Sequence, residues 1–180
     1  MKELNIIVAV DPQGGFGKDG KIPWHFEEDF KHFQAVTNNA NCIMGRTTYE
    51  EILEHAKKRW KKKTKKKKKA ETLELPKDLL PGRQCYVISR TPQTEGNVIT
   101  ATSIRDAINK IDNDKPVFVI GGEKLFHAAL PWTKKVYLTV MKESYGCDRF
   151  FPVKYLEQHF KIVSGSQNEN MFFIEYERMR

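Results

Sequence analysis

Short apolar runs that alternate with helical patterns constrain this fold most. The run LNIIVAV (4–10) ends at the turn-rich DPQGG, and PVFVIGG (116–122) ends at two glycines. Continuous apolar runs of this kind are typical of strands buried on both faces, as in parallel sheets. We predict strands at 4–10, 41–45, 84–89, 97–101, 116–122, 134–141 and 170–179, and helices at 27–36, from 47 or 48 to 53, from a Ser103 cap to about 111, and at 123–130. The alternation predicts an α/β fold with a mainly parallel sheet and helices on both faces.

The net charge of +8 comes from one segment. Residues 57–69, KKRWKKKTKKKKK, carry ten lysines, one arginine and no acid; without these eleven charges the rest of the chain totals −3. Because such a run repels itself and has little to bury, we predict a flexible, solvated loop inserted within one domain at about 54–76. A second interpretation stays open, a surface for nucleic acid, another polyanion or a membrane surface, with Trp60 able to stack on a base.

Length and cysteine content bound the class of protein. The 180 residues, 39% of them hydrophobic, suit a single folded domain. No apolar run is long enough to span a membrane, and Asp11 and Pro12 interrupt the first run too early for a signal peptide. Three dispersed cysteines indicate neither a disulfide framework nor a zinc site, and the five histidines lack metal-ligand spacing. We therefore expect a cytoplasmic protein without a metal.

The stretch IPWHFEEDFKHF (22–33) places three acids at the start of a predicted helix. Asp29 follows Phe26 by three residues and precedes Phe33 by four, so one acid shares a helix face with two aromatic rings. The local pattern allows two interpretations. Either all three acids face water and favour the helix dipole, or Asp29 points into an apolar cleft.

Polar residues follow three of the predicted strands. Gly121 and Gly122 end one strand directly before a helix, which is typical of close backbone approach to a ligand and equally of a tight strand-to-helix turn. Arg46, Thr47 and Thr48 follow a second strand, and Ser89, Arg90 and Thr91 a third. With Lys124, these cations at the carboxyl ends of strands favour a ligand with several phosphates, and a 2′-phosphorylated dinucleotide fits their number best.

Taken together, these motifs resemble the dihydrofolate reductase family. They are LNIIVAV, GFGKDGKIPW, Asp29 with Phe30 and Phe33, IMGRTTYE, LPGR, VISRT, VIGGEKLF, VYLT (136–139), DRFFP (148–152) and FFIEYER. Their order and spacing agree as well as their content. The resemblance covers nearly the whole chain apart from about 54–76, and it implies a single domain whose twisted sheet has about eight strands, with an antiparallel C-terminal strand.

The resemblance implies reduction of 7,8-dihydrofolate to tetrahydrofolate by a monomer that uses NADPH. Asp29 matches the acid that binds the pterin and promotes protonation of N5, a role that burial assists by raising the pKa of a carboxyl group. Trp24 matches a residue that positions water, Thr139 a hydroxyl bonded to the acid, and Ile22 the apolar residue of a closing loop at 14–21. The implied substrate contacts are Ile7, Val8, Asp29, Phe30, Phe33, Ile52, Leu80, Arg83, Ile120 and Thr139, with Arg83 on the α-carboxylate of the substrate.

The resemblance also implies a face for NADPH. The matching residues are Ala9, Phe16, Gly17, Gly20, Ile22, Gly45, Arg46, Thr47, Thr48, Ile88, Ser89, Arg90, Thr91, Ile120, Gly121, Gly122, Glu123, Lys124, Leu125 and Phe126. The chain departs from the family where Phe126 replaces the usual Tyr, where Phe26-Glu27 replaces Leu-Pro, and at the lysine run.

Two alternatives to this function remain. One is a related NADPH-dependent reductase of another pyrimidine or pterin, and the other is a binding protein that holds nucleic acid through residues 57–69. A further hypothesis is that the run attracts polyglutamylated folates.

Overall fold

The computed structural model of the protein describes residues 2–66 and 77–180. The strands lie at Leu4–Val10 (β1), Gly15–Gly17 (β2), Asn41–Gly45 (β3), Gln84–Ile88 (β4), Val98–Ala101 (β5), Val117–Val119 (β6), Thr133–Met141 (β7), Arg149–Phe150 (β8), Phe160–Gln167 (β9) and Met171–Arg178 (β10). The helices lie at Glu27–Val36 (α1), Arg46–Lys66 (α2), Ile104–Lys110 (α3), Glu123–Ala129 (α4) and Val153–His159 (α5), with a short 3-10 turn at Leu130–Trp132.

Eight of these strands form one sheet in the order β5-β4-β3-β6-β1-β7-β10-β9, and β2 pairs with β8 in a small second sheet. The pairs from β5 across to β7 are parallel, whereas β10 runs antiparallel to both β7 and β9. This confirms the predicted α/β class, the mainly parallel sheet and the antiparallel C-terminal strand. Parallel pairing requires crossover connections, which helices supply everywhere except between β4 and β5, where residues 89–97 form no helix.

Helices cover both faces of the sheet, as predicted. Because successive side chains of a strand point to opposite faces, Ile6 and Ile7 of β1 belong to different buried clusters. Ile6 shares its cluster with buried residues of α3, α4 and α5. Ile7 shares its cluster with Phe118, and Phe33 and Val36 of α1 pack against it. Helix α1 therefore lies on the face of the sheet opposite α3, α4 and α5.

Helix α2 is much longer than the sequence pattern predicts. It runs from Arg46 to Lys66 rather than ending near Leu53, so the prediction of a loop over residues 57–66 is wrong. Lysine and alanine are good helix formers, and the Glu54–Lys58 pair at 2.9 Å adds support one turn apart. Repulsion between exposed lysines costs only a few tenths of a kcal/mol per pair, which is about 0.2–0.5 kcal/mol in an isolated helix. Residues 67–69 of the run lie outside the described residues, and the flexibility of the insertion stays a prediction.

The sequence pattern also missed elements near the C-terminus. Strand β9 is an edge strand whose side chains are exposed after Phe160, so it lacks the buried or alternating apolar pattern by which the other strands were found. Helix α5 is short and buries only Leu156. None of the described helices is long and apolar enough to cross a membrane.

The central strand β1 should dominate stability. Ile6 is fully buried between β6 and β7, so Ile6→Ala removes apolar contacts and leaves a cavity. We expect the free energy of unfolding to fall by about 3 kcal/mol, measured by urea denaturation followed by circular dichroism.

Ile162→Ala is the matched control, because the same side chain is 61% exposed on β9. It should lower the free energy of unfolding by less than about 1 kcal/mol. Equal losses from the two variants would contradict the assignment of β1 as the buried centre of the sheet.

Candidate active site

Helix α1 turns one of its three first-turn acids toward the protein interior. The backbone N–H groups of Asp29 and Phe30 donate to the carbonyl of Phe26, whose own backbone is extended, and this fixes the start of the helix. Glu27 and Glu28 are exposed, and Glu27 pairs with Lys31 at 3.4 Å. Asp29 is half-buried. The three acids therefore occupy different environments although they are adjacent in sequence.

Burial raises the pKa of Asp29 from 3.8 to about 6. The Trp24 indole partly offsets this effect by favouring the charged form. Within the described residues, however, the buried Nε1 of Trp24 has no hydrogen-bond partner of normal geometry, so its influence is weak and burial dominates. A carboxyl group with a pKa near 6 can carry a proton at neutral pH in a useful fraction of molecules.

Two of the residues predicted to act with Asp29, Trp24 and Thr139, lie in the segment before α1 and on β7. Trp24 is buried in a cluster with Met141 and Met171, and Phe26 packs against it. Thr139 is buried on β7, in register with Ala9 of β1 and Phe173 of β10. Among the hydrogen bonds of the described residues, none joins the Thr139 hydroxyl to Asp29. The predicted Thr139–Asp29 bond stays a prediction.

Apolar residues of α1, of α2, of the sheet and of the segment before β4 pack into two neighbouring clusters. Phe33 packs against the cluster of Ile7 and Phe118, and Ile52 and Leu80 pack against the cluster of Met44 and Leu79. Ile120 packs against both clusters, so it connects the residues that pack beside α1 with those that pack beside α2. Val8 faces the opposite side of the sheet, where only its backbone remains available to this site.

Phe30, which the resemblance implies as a substrate contact, points outward from α1. Its side chain is 52% exposed, and the guanidinium of Arg59, on α2, lies 5.9 Å from the centre of its ring. Asp29 takes the inward position in this turn, and successive residues of a helix point about 100° apart, so the neighbouring ring is directed outward.

Arg83 is held by three hydrogen bonds, two of them to the end of α1. Its Nε donates to the Thr37 hydroxyl at 3.1 Å, and its terminal nitrogens donate to the carbonyls of Gln34 at 2.6 Å and Pro81 at 2.5 Å. A guanidinium has five N–H donors, so two remain for a carboxylate. The protein thus fixes the orientation of the guanidinium before any ligand is present.

The glycine-rich segment after β1 is tied down on two sides. The buried Asp11 carboxylate accepts hydrogen bonds from the backbone of Gln13, Gly15 and Tyr145. Further along, the Asp148 carboxylate accepts from the Asp19 backbone at 3.0 Å, and the Asp148 N–H donates to Gly17. Ile22, at the end of this segment, is 51% exposed.

The carboxyl ends of β3 and β6 meet at a close contact between backbones. The Gly45 N–H donates to the Gly121 carbonyl at 2.8 Å. Gly121 has a φ of +130°, and a β-carbon on it would lie 3.2 Å from the Thr48 hydroxyl. A larger residue at Gly121 would therefore be strained and would fill the space beside the start of α2. Glycines here leave room for a flat or phosphorylated group to approach the backbone.

Cations flank this junction on the side of β4. Gly45 is in register with Ile88, so Arg46 and Arg90 follow adjacent strands. Arg46 pairs with Glu50 at 3.4 Å, whereas no carboxylate of the described residues pairs with Arg90. Ser89 and Thr91 lie beside Arg90, and the Thr91 N–H donates to the Ser89 hydroxyl at 3.2 Å. The exposed Lys124 lies on α4 beyond β6, and Thr47 lies in the first turn of α2.

Comparison with known proteins points to the same family as the sequence motifs. The sequence pattern of the dihydrofolate reductase family matches residues 3–62 and 53–178. Dihydrofolate reductase type 9 of Escherichia coli is 36% identical over 148 residues, which cover 77% of this chain and 70% of that protein. The dihydrofolate reductase of Buchnera aphidicola subsp. Schizaphis graminum is 31% identical, over 92% of this chain and 94% of that protein.

A solved structure agrees across almost the whole chain. It is the dihydrofolate reductase of Enterococcus faecalis complexed with NADP(H) and RAB-propyl, with a TM-score of 0.73, 27% identity and coverage of 98% of this chain and 96% of that chain. The chain belongs to the dihydrofolate reductase family. This confirms the predicted enzyme class, an oxidoreductase that reduces dihydrofolate with NADPH.

The main departure from the family sequence is accommodated by apolar packing. Phe126, which stands where dihydrofolate reductases commonly have Tyr, is buried between Phe16 and Phe151, with ring centres 5.6 and 5.4 Å away. A buried phenol hydroxyl needs a hydrogen-bond partner, and Phe does not. Leu125 and Ile88 pack at the edge of the same core, and Glu123 begins α4.

One ion pair at this site was missed by sequence reasoning. Glu51 of α2 lies 3.7 Å from Arg149 of β8, and the Arg149 guanidinium lies 5.5 Å from the centre of the Phe16 ring. Burial raises the pKa of Glu51, and the charge of Arg149 partly offsets this shift. A β-carbon on Gly17 would come within 2.3 Å of Arg149, so the glycine makes room for the arginine. No local sequence pattern indicates an ion pair between residues as far apart in the chain as Glu51 and Arg149.

The raised pKa of Asp29 has a consequence for stability. A folded-state pKa of about 6 against 3.8 means that the folded protein binds the proton more tightly, so ionisation costs stability as pH rises from about 4 to about 6. An asparagine side chain at this position does not titrate. We expect the free energy of unfolding of Asp29→Asn, relative to wild type, to rise by about 2–3 kcal/mol between pH 4 and pH 7.

Urea titrations at several pH values measure this difference. Glu28→Gln, at an exposed acid of the same turn, is the control and should show a far smaller change with pH. A pH-independent difference for Asp29→Asn would mean that Asp29 is not buried in the folded protein.

Proposed function

We propose that this chain transfers a hydride from NADPH to C6 of 7,8-dihydrofolate, and that Asp29 promotes protonation of the pterin at N5. The observation that carries the proposal is a single carboxyl group, half-buried beside Trp24, whose pKa burial raises to about 6. The family supplies the reaction, and Asp29 supplies a proton donor suited to neutral pH. The product, tetrahydrofolate, serves one-carbon metabolism.

The substrate would lie between α1 and α2. Asp29 would bind the 2-amino group and N3 of the pterin, which fixes the orientation of the ring. Phe33, Ile52 and Leu80 would enclose the aminobenzoyl ring with apolar surface. Trp24 would position a water through its indole N–H, which lies close to Asp29 and lacks a partner of normal geometry among the described residues.

Arg83 distinguishes this substrate from smaller heterocycles. Its guanidinium, already oriented by Thr37, Gln34 and Pro81, has two N–H groups left for the α-carboxylate of the glutamate part. A reductase of a pyrimidine or of a simple pterin would have no carboxylate to place there. Arg83 therefore favours dihydrofolate over the related substrates.

The residues at the strand ends fit NADPH, which when bound would supply the hydride. Gly45, Gly121 and Gly122 leave room for its close approach, and Thr48 lies at their edge. The first turn of α2, with Thr47 and Arg46, offers backbone N–H groups and charge to a phosphate. Arg90 would bind the 2′-phosphate, helped by Ser89 and Thr91.

We propose a monomer in the cytoplasm. The three cysteines are free, and burial raises the pKa of Cys85 to about 12, so this thiol is inert in a reducing compartment.

Asp29→Asn tests the acid. We expect kcat at pH 7 to fall by about 100-fold or more, because the amide cannot help to deliver the proton. The loss should shrink as pH falls, since the substrate then arrives already protonated at N5. NADPH oxidation followed at 340 nm from about pH 5 to pH 9 measures it.

Glu27→Gln is the matched control on the exposed side of the same turn and should keep the wild-type pH profile. An Asp29→Asn enzyme that is fully active at every pH would refute the role given to Asp29.

Arg90→Gln tests recognition of the 2′-phosphate. Losing a charge-assisted hydrogen bond of about 1.5–3 kcal/mol should raise KM for NADPH by about 10-fold to 100-fold and leave KM for NADH nearly unchanged. Steady-state kinetics with both cofactors measure the ratio. Arg105→Gln, an exposed arginine on α3, is the control. Equal effects on NADPH and NADH would place Arg90 outside the phosphate site.

A further inference from the structure

The basic run forms a helical wall beside the proposed substrate cleft. Arg59 lies seven residues beyond Ile52, so the two are separated by about 10.5 Å along the axis of α2. Its guanidinium lies 5.9 Å from the centre of the Phe30 ring, and Phe30 directly follows Asp29 on α1. The basic part of α2 therefore reaches across to the outer surface of α1, at the open side of the cleft.

Only part of the charge on this extension is neutralised. Residues 57–66 contain seven lysines, one arginine and no acid. Lys57 pairs with Glu95 at 2.8 Å, and Lys58 pairs with Glu54 at 2.9 Å. Arg59, Lys62 and Lys65 are exposed, and no carboxylate in the described part of the chain forms an ion pair with them. Three cations on successive turns thus remain available to an anion.

The spacing of these cations also makes the helix responsive to an anion. Like charges three or four residues apart destabilise a helix, and Lys62 has such neighbours on both sides, Lys58 and Lys65. An anion bound along this face would relieve that repulsion. Binding and helix stability are therefore coupled, since a ligand that binds the folded form stabilises it.

We propose that Arg59, Lys62 and Lys65 form a second anion subsite, for the carboxylates of a γ-linked glutamate chain on dihydrofolate. The inference rests on the proposed function, in which Arg83 takes the first α-carboxylate. Each further glutamate adds one negative charge, and the chain leaves the cleft at its open side, where Arg59 covers Phe30. Successive cations of α2 are one turn apart and span about 9 Å, which suits a flexible chain of carboxylates better than a single ion.

The position of the cations favours this ligand over nucleic acid. Proteins that bind single-stranded nucleic acid typically add stacking on several aromatic rings to a basic groove. Trp60, the one aromatic residue of the run, is half-buried, and Phe30 lies under Arg59 at the substrate cleft. The charge is thus placed at the mouth of the cleft rather than on a separate aromatic surface.

The test compares dihydrofolate monoglutamate with dihydrofolate pentaglutamate. We expect wild type to have a kcat/KM about 10-fold higher for the pentaglutamate at low salt, within the range of electrostatic steering. At 1 M salt, where the Debye length is about 3 Å, this preference should largely disappear. In the triple variant Arg59→Gln, Lys62→Gln, Lys65→Gln the ratio should fall to about 1 at both salt concentrations, if these three cations create it.

A charge-matched control separates the subsite from the overall field of the protein. Lys115→Gln, Lys154→Gln, Lys161→Gln removes the same three charges at exposed positions on other elements. It should keep the wild-type ratio and its salt dependence. If both triple variants lower the ratio equally, the steering comes from net charge and the subsite is refuted.

Two other results would overturn the inference, and they differ from failure of the proposed function. Wild type with no preference for the pentaglutamate at any salt concentration refutes the subsite while monoglutamate turnover supports the reductase. The cations are assigned to nucleic acid instead if the α2 triple variant, and not the control variant, loses binding of single-stranded DNA while the α2 triple variant keeps the pentaglutamate preference. Absence of turnover with either substrate would refute the proposed function itself.

Discussion

The parallel pairing of β1 with β6 and of β6 with β3 is the constraint on which the rest of the structure depends. Parallel strands end at one edge, so residues from distant parts of the chain meet there without any local signal that joins them. At this edge the Gly45 N–H meets the Gly121 carbonyl, and Thr48 lies beside them. The cofactor face is therefore a product of sheet topology, and glycine is required because two backbones approach there.

The first turn of α1 shows how function opposes stability in this fold. A buried carboxyl group costs free energy once it ionises, and no cation of the described residues pairs with Asp29 to offset that cost. The same burial holds the proton at a pH where an exposed acid would have lost it. Arg83 presents the opposite case, because three hydrogen bonds to the protein satisfy its guanidinium and still leave donors free. The site thus combines the Asp29 carboxyl group, which lacks a charged partner and can carry a proton, with the Arg83 guanidinium, whose hydrogen bonds to the protein fix its orientation.

Much of the fold was predictable from the sequence, because buried strands and glycine-ended turns leave local patterns. The strands before Gly45 and Gly121 are of this kind, whereas the local pattern left the direction of Asp29 open and only the resemblance of the whole chain favoured the inward one. Features that depend on partners far along the chain were not predictable. The outward ring of Phe30 lies under Arg59 of α2, Glu51 finds Arg149, and β9 is a strand because β10 pairs with it rather than through apolar residues of its own. The length of α2 was misjudged for another reason: lysine repulsion is weaker than the helix propensity of the same residues.

The extension of α2 is placed where the fold tolerates an insertion best. Tyr49, Ile52 and Leu53 of α2 belong to or pack against the buried cluster beside β3 and β4, and no described residue of the later turns does, so these turns add little to the core. A flexible loop of the same charge would spread its lysines over many directions. A helix holds them at fixed intervals and places Arg59 over Phe30. Its rigidity therefore keeps these charges at defined positions relative to α1. Cations fixed beside the proposed substrate cleft can select one class of anion, whereas the same charges spread over a mobile loop would attract any anion.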